Sequence, residues 1–251
     1  MLTLTQLSLR QGSKLLLNKA NLSLHPGIKL GLTGANGTGK TSLFKLLLGK
    51  LTPDAVQLQM QGFDRLAYMA QEVAATQQSA VDYVLSGYER FAQLEKQLAE
   101  AAASEETTNE NNELLAQLYS EYDLIDGYSQ RNKAEQLLAG LGFKTEELNQ
   151  PLASFSGGWR LRLSLAKALF MPSDLFLLDE PTNHLDLDAL LWLEDWLKAY
   201  SGTLIIISHD RDFLDAVTSH TLHLYNQQLN LYTGNFSAFA RQRAEQLTLP
   251  Q

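Results

Sequence analysis

The segment Gly34-Ala35-Asn36-Gly37-Thr38-Gly39-Lys40-Thr41 satisfies the pattern G-x-x-x-x-G-K-[ST] at every fixed position. Upstream, Ile28 to Thr33 alternates like a short strand; downstream, Ser42 to Leu48 has helical apolar spacing closed by Gly49. Strand, glycine loop and helix therefore follow in the order that a phosphate-cradling loop requires. Glycine at 34, 37 and 39 permits backbone geometry that side chains would block, so N–H groups can converge on phosphate oxygens at a helix N-terminus. On this reading Lys40 reaches the β- and γ-phosphates, Thr41 offers a hydroxyl to Mg²⁺, and the binding stretch runs through Ser42. Chance would place the pattern in about one chain in a hundred of this length. The flanking strand and helix reduce the competing reading, a flexible glycine-rich turn, still further.

The chain has 251 residues, enough for one substantial core or one domain with an insertion. Apolar residues make up 45%, and no run of apolar side chains exceeds five residues, too short for a membrane-spanning helix. The first ten residues lack the basic-then-apolar layout of a secretory signal. With no cysteine, disulfides, thiolate metal sites and cysteine nucleophiles are excluded, and a cytoplasmic location is expected. The formal net charge of −8 argues against broad attraction to a phosphate backbone, so nucleic-acid contact would have to be local or made through a protein.

Four segments follow from the pattern. Residues 1–87 read as an ATP-binding core with an antiparallel β-subdomain, whose short strands break at Gln11-Gly12-Ser13 and Asn18-Lys19. Residues 88–126 contain neither proline nor, before Asp126, glycine, and read as an antiparallel helical hairpin or arm. Its stripes are Tyr88, Phe91, Leu94, Leu98, Ala101 and then Leu114, Leu115, Leu118, Tyr119, Tyr122, Ile125, with a polar tip at 104–112. Ten acids stand against Arg90 and Lys96 there, so the arm is acidic. Residues 127–172 form a helical subdomain around Phe155-Ser156-Gly157-Gly158-Trp159. Residues 173–251 return to the core through two buried strands, Leu175 to Leu178 and Thr203 to Ile207, with the helix Asp188 to Tyr200 between them. Strands alternating with helices mean a mostly parallel sheet whose ligands gather at the strands' carboxyl ends.

At those ends lie Asp179-Glu180 and Ser208-His209-Asp210. Asp179 is placed to hold a metal ion, and Glu180 to polarise a water, since a carboxylate one residue on can face the γ-phosphate instead of the metal. Taken alone, an acidic pair after a strand is as readily a polar turn. Beside the glycine loop it becomes a catalytic pair.

The chain resembles the ATP-binding cassette superfamily over nearly its whole length, in an α/β P-loop cassette with a mostly parallel core sheet, an antiparallel β-subdomain and a helical subdomain. The hallmarks stand in order: the phosphate loop, Gln71 as the Q-loop glutamine, Phe155 to Trp159 as the signature, Leu175 to Glu180 as the second Walker motif, Asn183 to Asp186 as the D-loop, and His209 as the switch histidine. The resemblance implies ATP and Mg²⁺ as ligands, with Thr41, Gln71 and Asp179 near the metal and Glu180, His209 and Gln71 in catalysis. Ser156, Gly157 and Gly158 would address the nucleotide of a partner cassette, so one cassette supplies half of each active site and turns over slowly by itself.

Asp179-Glu180-Pro181-Thr182-Asn183-His184-Leu185-Asp186, the pair Trp159-Arg160, the arm and Tyr232 to Phe236 are similar to the ABC-F branch. That branch implies a role on the ribosome in translation, reached through the acidic arm, with a second cassette as partner and no stable membrane partner. Family members continue into a linker and a second cassette, so this chain reads as a first cassette. The competing implications are the nucleotide-binding subunit of an ABC transporter, and a binding module with little catalysis. One departure concerns the base: where many cassettes place an aromatic ring against adenine, this chain has Arg10-Gln11-Gly12.

Overall fold

The computed structural model describes residues 1–52, 55–103 and 108–248. Its elements begin with β1 (Leu2–Gln11), β2 (Lys14–Leu24), β3 (Lys29–Thr33), α1 (Lys40–Leu47), β4 (Ala55–Met60) and β5 (Leu66–Tyr68). A helical stretch follows: α2 (Ala80–Leu85), α3 (Glu89–Ala103), α4 (Asn109–Leu124), α5 (Gly127–Gly140) and α6 (Gly157–Phe170). The chain then runs through β6 (Leu175–Asp179), α7 (Leu187–Ala199), β7 (Thr203–Ile207), α8 (Arg211–Val217), β8 (His220–Tyr225), β9 (Gln228–Thr233) and α9 (Phe236–Thr248). Two compact units result: Met1–Met69 with Ser173–Asn183 and Leu191–Gln251, and Ala70–Pro172 with His184–Leu190.

In the first unit a six-stranded sheet has the order β5-β6-β7-β3-β8-β9. All neighbours pair in parallel except β8 and β9, which form an antiparallel hairpin at the edge. Every residue of β7 and the first four of β6 are buried, as expected for parallel strands covered on both faces. A second sheet, β2-β1-β4, is antiparallel. Leu2, Leu4, Leu7 and Leu9 of β1 turn inward and join Leu30, Leu43, Phe44, Leu177 and Ile205 in one apolar cluster. Burial of a leucine side chain contributes about 1.5–3 kcal/mol, so this cluster is what fixes the glycine loop between its strand and helix.

Asn18-Lys19 does not end a strand. It lies inside β2 at the register shift between Leu7 and Leu9 of β1, where Leu7 pairs with Ala20 and Leu9 with Leu17; a second shift, between Leu4 and Leu7, faces Asn21, and Lys19 (φ 47°) at the first and Gln6 (φ 52°) at the second are left-handed. The backbone N–H groups that these two irregularities free are taken by side chains: Lys19 donates to Ser8 Oγ at 3.1 Å and Gln6 to Asn21 Oδ1 at 2.9 Å. A local kink is thereby absorbed, and the strand continues.

In the second unit α3 and α4 pack antiparallel. Phe91 stacks on Tyr122 with ring centroids 5.9 Å apart, Tyr122 donates its hydroxyl to Glu95 at 2.6 Å, and Arg90 pairs with Glu121. Thr108 caps α4 by accepting the Asn111 N–H. Of the apolar stripe along α4, Leu118 and Tyr122 are buried, but Leu114 and Tyr119 are each 47% exposed. Residues 104–107 of the polar tip lie outside the described residues.

Candidate functional site

The loop after β3 is shaped by close approaches that only glycine permits. A Cβ at Gly34 would lie 2.8 Å from the backbone oxygen of Leu224, and Gly39 has φ +114° with Leu16 packed directly against it. Lys14 Nζ donates to the Gly37 carbonyl at 2.8 Å, and the Thr38 hydroxyl to the Ala35 carbonyl at 2.8 Å. The loop is thus held from β2 as well as from within. Gly39 starts α1 in the left-handed region with no side-chain cap. The first N–H groups of α1 are therefore free to meet an anion.

The Lys40 ammonium donates to the Gly34 and Ala35 carbonyls at 2.6 and 3.1 Å. Burial pushes its pKa down, while the carboxylates of Glu180 and Asp179 act in the opposite direction. Desolvation is the larger effect, so the charge is held in surroundings that favour adding a negative partner.

A cavity of about 440 Å³ opens over the loop. Asn36, Gly37, Gly39, Lys40, Thr41 and Ser42 line it with Asp179, Glu180 and His209, so most of the residues singled out in the first unit meet in one place. Gln11 and Lys45 line it too. Lys45 escaped the sequence analysis, although its position one helical turn after Thr41 would have indicated it.

Glu180 follows β6 in the left-handed region, with φ 50°. Its N–H donates to the Ile207 carbonyl at 2.8 Å, which pins the residue against the end of the neighbouring strand. The carboxylate accepts the His209 backbone N–H at 3.2 Å and lies 3.4 Å from His209 Nε2. The Glu180 carboxylate and the His209 imidazole are therefore in contact. One carboxylate and one hydroxyl, Asp179 and Thr41, face the same cavity, a donor set suited to Mg²⁺, which keeps waters and takes phosphate oxygens.

The remaining named residues belong to the second unit. Ser156 caps α6 by accepting the Trp159 N–H at 3.5 Å, leaving Gly157 and Gly158 as the first helical residues. Gln71, which is exposed, Gly157, Gly158, Arg160 and His184 line a second cavity of about 520 Å³. Asp186 starts α7 by accepting the Ala189 N–H at 3.0 Å. That bond, followed by the Arg162 side chain, holds its carboxyl below the usual range. Arg162 itself carried no local signal in the sequence, yet it is buried among partners at 141, 184 and 186.

A strand, a glycine loop capping a helix, and an acidic pair two strands along the same sheet define a P-loop nucleotide-binding cassette. The ABC transporter family profile matches residues 17–183, and the chain belongs to that family of ATP-binding cassette proteins. It is 47% identical over 253 aligned residues to "Probable ATP-binding protein YheS" of Escherichia coli (strain K12), covering 100% of this chain and 39% of that protein. It is 38% identical to ABC transporter F family member 4 of Arabidopsis thaliana, over 95% of this chain and 34% of that one. The ATP-binding cassette sub-family F member 3 of Homo sapiens is also 38% identical, over 94% and 33%. The chain thus spans about two fifths or less of the length of these relatives. Among solved structures, an ATP-binding subunit of an ABC transporter matches with TM-score 0.69 at 17% identity, over 97% of this chain and 93% of that one. A metal-chelate type ABC transporter in an inward-facing conformation matches with TM-score 0.64 at 22% identity, over 92% and 82%. At these identities the structures speak to fold alone.

Proposed function

We propose that the chain is the ATP-binding and ATP-hydrolysing first cassette of a cytoplasmic ABC-F protein that acts on the ribosome in translation. The observation that carries this reading is the 47% identity to YheS along the full chain, supported by F-family relatives at 38%. Loop N–H groups and Lys40 hold the phosphates; Thr41 and Asp179 would hold Mg²⁺, which would supply positive charge to offset that of the phosphates. Glu180 accepts a proton from the attacking water as its oxygen bonds to the γ-phosphorus and the bond to the β-bridging oxygen breaks, giving ADP and phosphate. His209 keeps the Glu180 carboxylate aimed and donates to the γ-phosphate. Gln71 would offer its amide to the metal or the water, Ser156, Gly157 and Gly158 face the nucleotide of a second cassette, and Asp186 belongs to the D-loop. Turnover by the isolated chain is accordingly slow.

The test is co-sedimentation. Full-length protein carrying Glu180→Gln, able to bind ATP but not to cleave it, is expected to pellet with ribosomes in Mg-ATP. If the folded, ATP-bound form stays in the supernatant, the translational role fails. The family profile also suits a nucleotide-binding subunit of a transporter; co-purification with a membrane protein would favour that instead. Of the charges on the acidic arm, Glu110 lies in α4, whereas Glu105 and Glu106 fall outside the described residues. Charge reversal at Glu110 is expected to weaken ribosome binding if the arm makes the contact.

A further inference from the structure

We infer that Asn36-Gly37 is a site of self-modification: in the nucleotide-free chain the Gly37 nitrogen attacks the Asn36 side-chain amide, ammonia leaves, and the phosphate loop gains a carboxylate that weakens nucleotide binding. The loss of affinity, and protection of the pair by bound nucleotide, rest on the phosphate-cradle reading above; the reaction itself does not.

Asparagine is among the chemically labile residues, and ring closure onto the next nitrogen is least hindered where that residue lacks a Cβ. Asn36 is the one asparagine of the chain followed by glycine. Asn36 and Gly37 are both exposed and form the middle of a turn, with the Thr38 N–H on the Ala35 carbonyl at 3.3 Å and Gly37 at φ 73°. The side chains that brace the loop, Lys14, Thr38 and Lys40, all donate to carbonyl oxygens, those of Gly37, Ala35 and Gly34. Among the described residues neither the Gly37 N–H nor the Asn36 side-chain amide is hydrogen-bonded. Nucleophile and target are adjacent, solvated and untethered. Asp126-Gly127, the one other pair in which Asn or Asp precedes glycine, has the opposite surroundings. Its carboxyl is bonded to Ser129 and Lys133, and Gly127 is buried against the Tyr122 ring.

Water is the only co-reactant. The Gly37 nitrogen bonds to Asn36 Cγ as Cγ releases its NH₂, which leaves as ammonia with the Gly37 amide proton, and a five-membered imide remains. Water then opens either imide carbonyl, giving aspartate at 36 or an isoaspartyl link that lengthens the backbone by one methylene. Both products add a carboxylate to the cavity that already holds Asp179 and Glu180, where it repels phosphate. The isoaspartyl link also shifts Gly37 and Gly39 out of the spacing that the cradle needs. When phosphate oxygens accept the loop N–H groups, the attacking nitrogen is occupied and the turn is fixed.

The test is mass spectrometry of the tryptic peptide Leu30 to Lys40 after the intact chain is incubated at mildly alkaline pH, with and without the Mg complex of β,γ-imido-ATP, which resists cleavage. Without nucleotide, residue 36 is expected to exchange NH₂ for OH and to appear as aspartyl and isoaspartyl species, while Asp126 stays aspartyl. The analogue at about a hundred times its Kd should slow the exchange about a hundredfold, by mass action on the free chain. Asn36→Gln, whose longer side chain would have to close a larger ring, should stay unmodified. Asn36→Asp, the aspartyl product, should bind the analogue at least about tenfold more weakly by calorimetry, with circular dichroism verifying its fold. No exchange in the folded, nucleotide-free chain, under conditions where the free peptide of the same sequence reacts, would overturn the inference, as would wild-type affinity in Asn36→Asp. Exchange at an unchanged rate with the analogue bound would overturn the protection. Failure of the unmodified, folded chain to take up the analogue would overturn the nucleotide-binding reading, and the loss of affinity and the protection with it, whereas the exchange at Asn36 would still be read by mass.

Discussion

Arg162 donates to the Asp186 carboxylate at 2.9 Å and to the carbonyls of His184 and Leu141 at 2.9 and 3.1 Å, with its guanidinium 4.3 Å from the centre of the Trp159 ring. The two ends of the ion pair differ: the Arg162 side chain is 9% exposed and that of Asp186 57%. A half-solvated pair contributes little, about 0–1 kcal/mol, whereas carbonyls stripped of a buried donor cost about 1–3 kcal/mol each. Arg162→Ala is therefore expected to destabilise by about 2–4 kcal/mol, and Asp186→Asn by about 1 kcal/mol or less. Urea unfolding of both variants decides it, and the reverse ranking would contradict the argument.

Glu180 stores backbone strain where the chemistry is proposed. A left-handed non-glycine residue costs roughly 1–2 kcal/mol, and Glu180 adopts that conformation with its N–H bound to Ile207. Glu180→Gly relieves the strain and removes the carboxylate together, so stability should hold or rise by about 1 kcal/mol while turnover falls at least about a hundredfold. Thermal unfolding and phosphate release by the full-length protein report the two effects. A variant that loses activity by unfolding would show that the conformation is not strained.

Lys40 separates binding from stability in the same way. Its ammonium is partly desolvated, with its pKa pushed down by burial, so the folded chain holds that proton less firmly than the unfolded one. The penalty is present at neutral pH and is relieved as pH rises past the lowered value toward the ordinary lysine range. Lys40→Ala should thus leave the unfolding midpoint unchanged or raised at pH 7, while Mg-ATP uptake measured by calorimetry is lost. Undiminished uptake by the folded variant would remove the phosphate role of the loop.

Much of this was legible in the sequence because it is local. Gly34 to Thr41 carries its own strand, turn and helix signals, β6 and β7 are apolar runs that end in polar residues, and α3 and α4 come from a stretch without proline or glycine. What stayed hidden depends on partners distant in the chain. The β8–β9 hairpin turns at Asn226 and Gln227, both left-handed at φ 47° and 60°, where glycine would have marked it. Asn18-Lys19 reads as a break because only the pairing of Leu7 with Ala20 and of Leu9 with Leu17 shows that β2 continues across it. Arg162 sits in an apolar helix, and nothing near it in sequence announces Leu141, His184 and Asp186 as its partners.

Gly127 opens α5 beneath the Tyr122 ring, and a Cβ there would lie 2.5 Å from ring carbons. The ring cannot swing clear: Tyr122 is 8% exposed, stacks on Phe91, meets Tyr128 edge-on at 4.9 Å and is bonded to Glu95. Gly127→Ala is therefore expected to cost about 1–3 kcal/mol by overpacking, even though alanine favours helix by about 1 kcal/mol. Steric conflict wins over propensity. Tyr122→Leu in the same background should recover part of the loss, and denaturant midpoints for the single and double variants measure the coupling.

His223 makes acid the unfavourable direction for the β8–β9 hairpin. Its imidazole lies between Tyr225 and Phe239, with centroids at 5.4 and 5.0 Å. Nδ1 is buried and without a hydrogen-bond partner among the described residues. Burial pushes the pKa below its ordinary value, and the Arg243 cation adds to the shift. The folded chain therefore keeps this ring neutral where the unfolded chain takes up a proton, and stability is lost as pH falls below about 6.5, toward the lowered value. His223→Phe preserves the stacking and removes the titration. Unfolding midpoints between about pH 7.5 and pH 5 should fall more steeply for wild type than for this variant, and parallel curves would show that proton uptake at His223 is not coupled to folding.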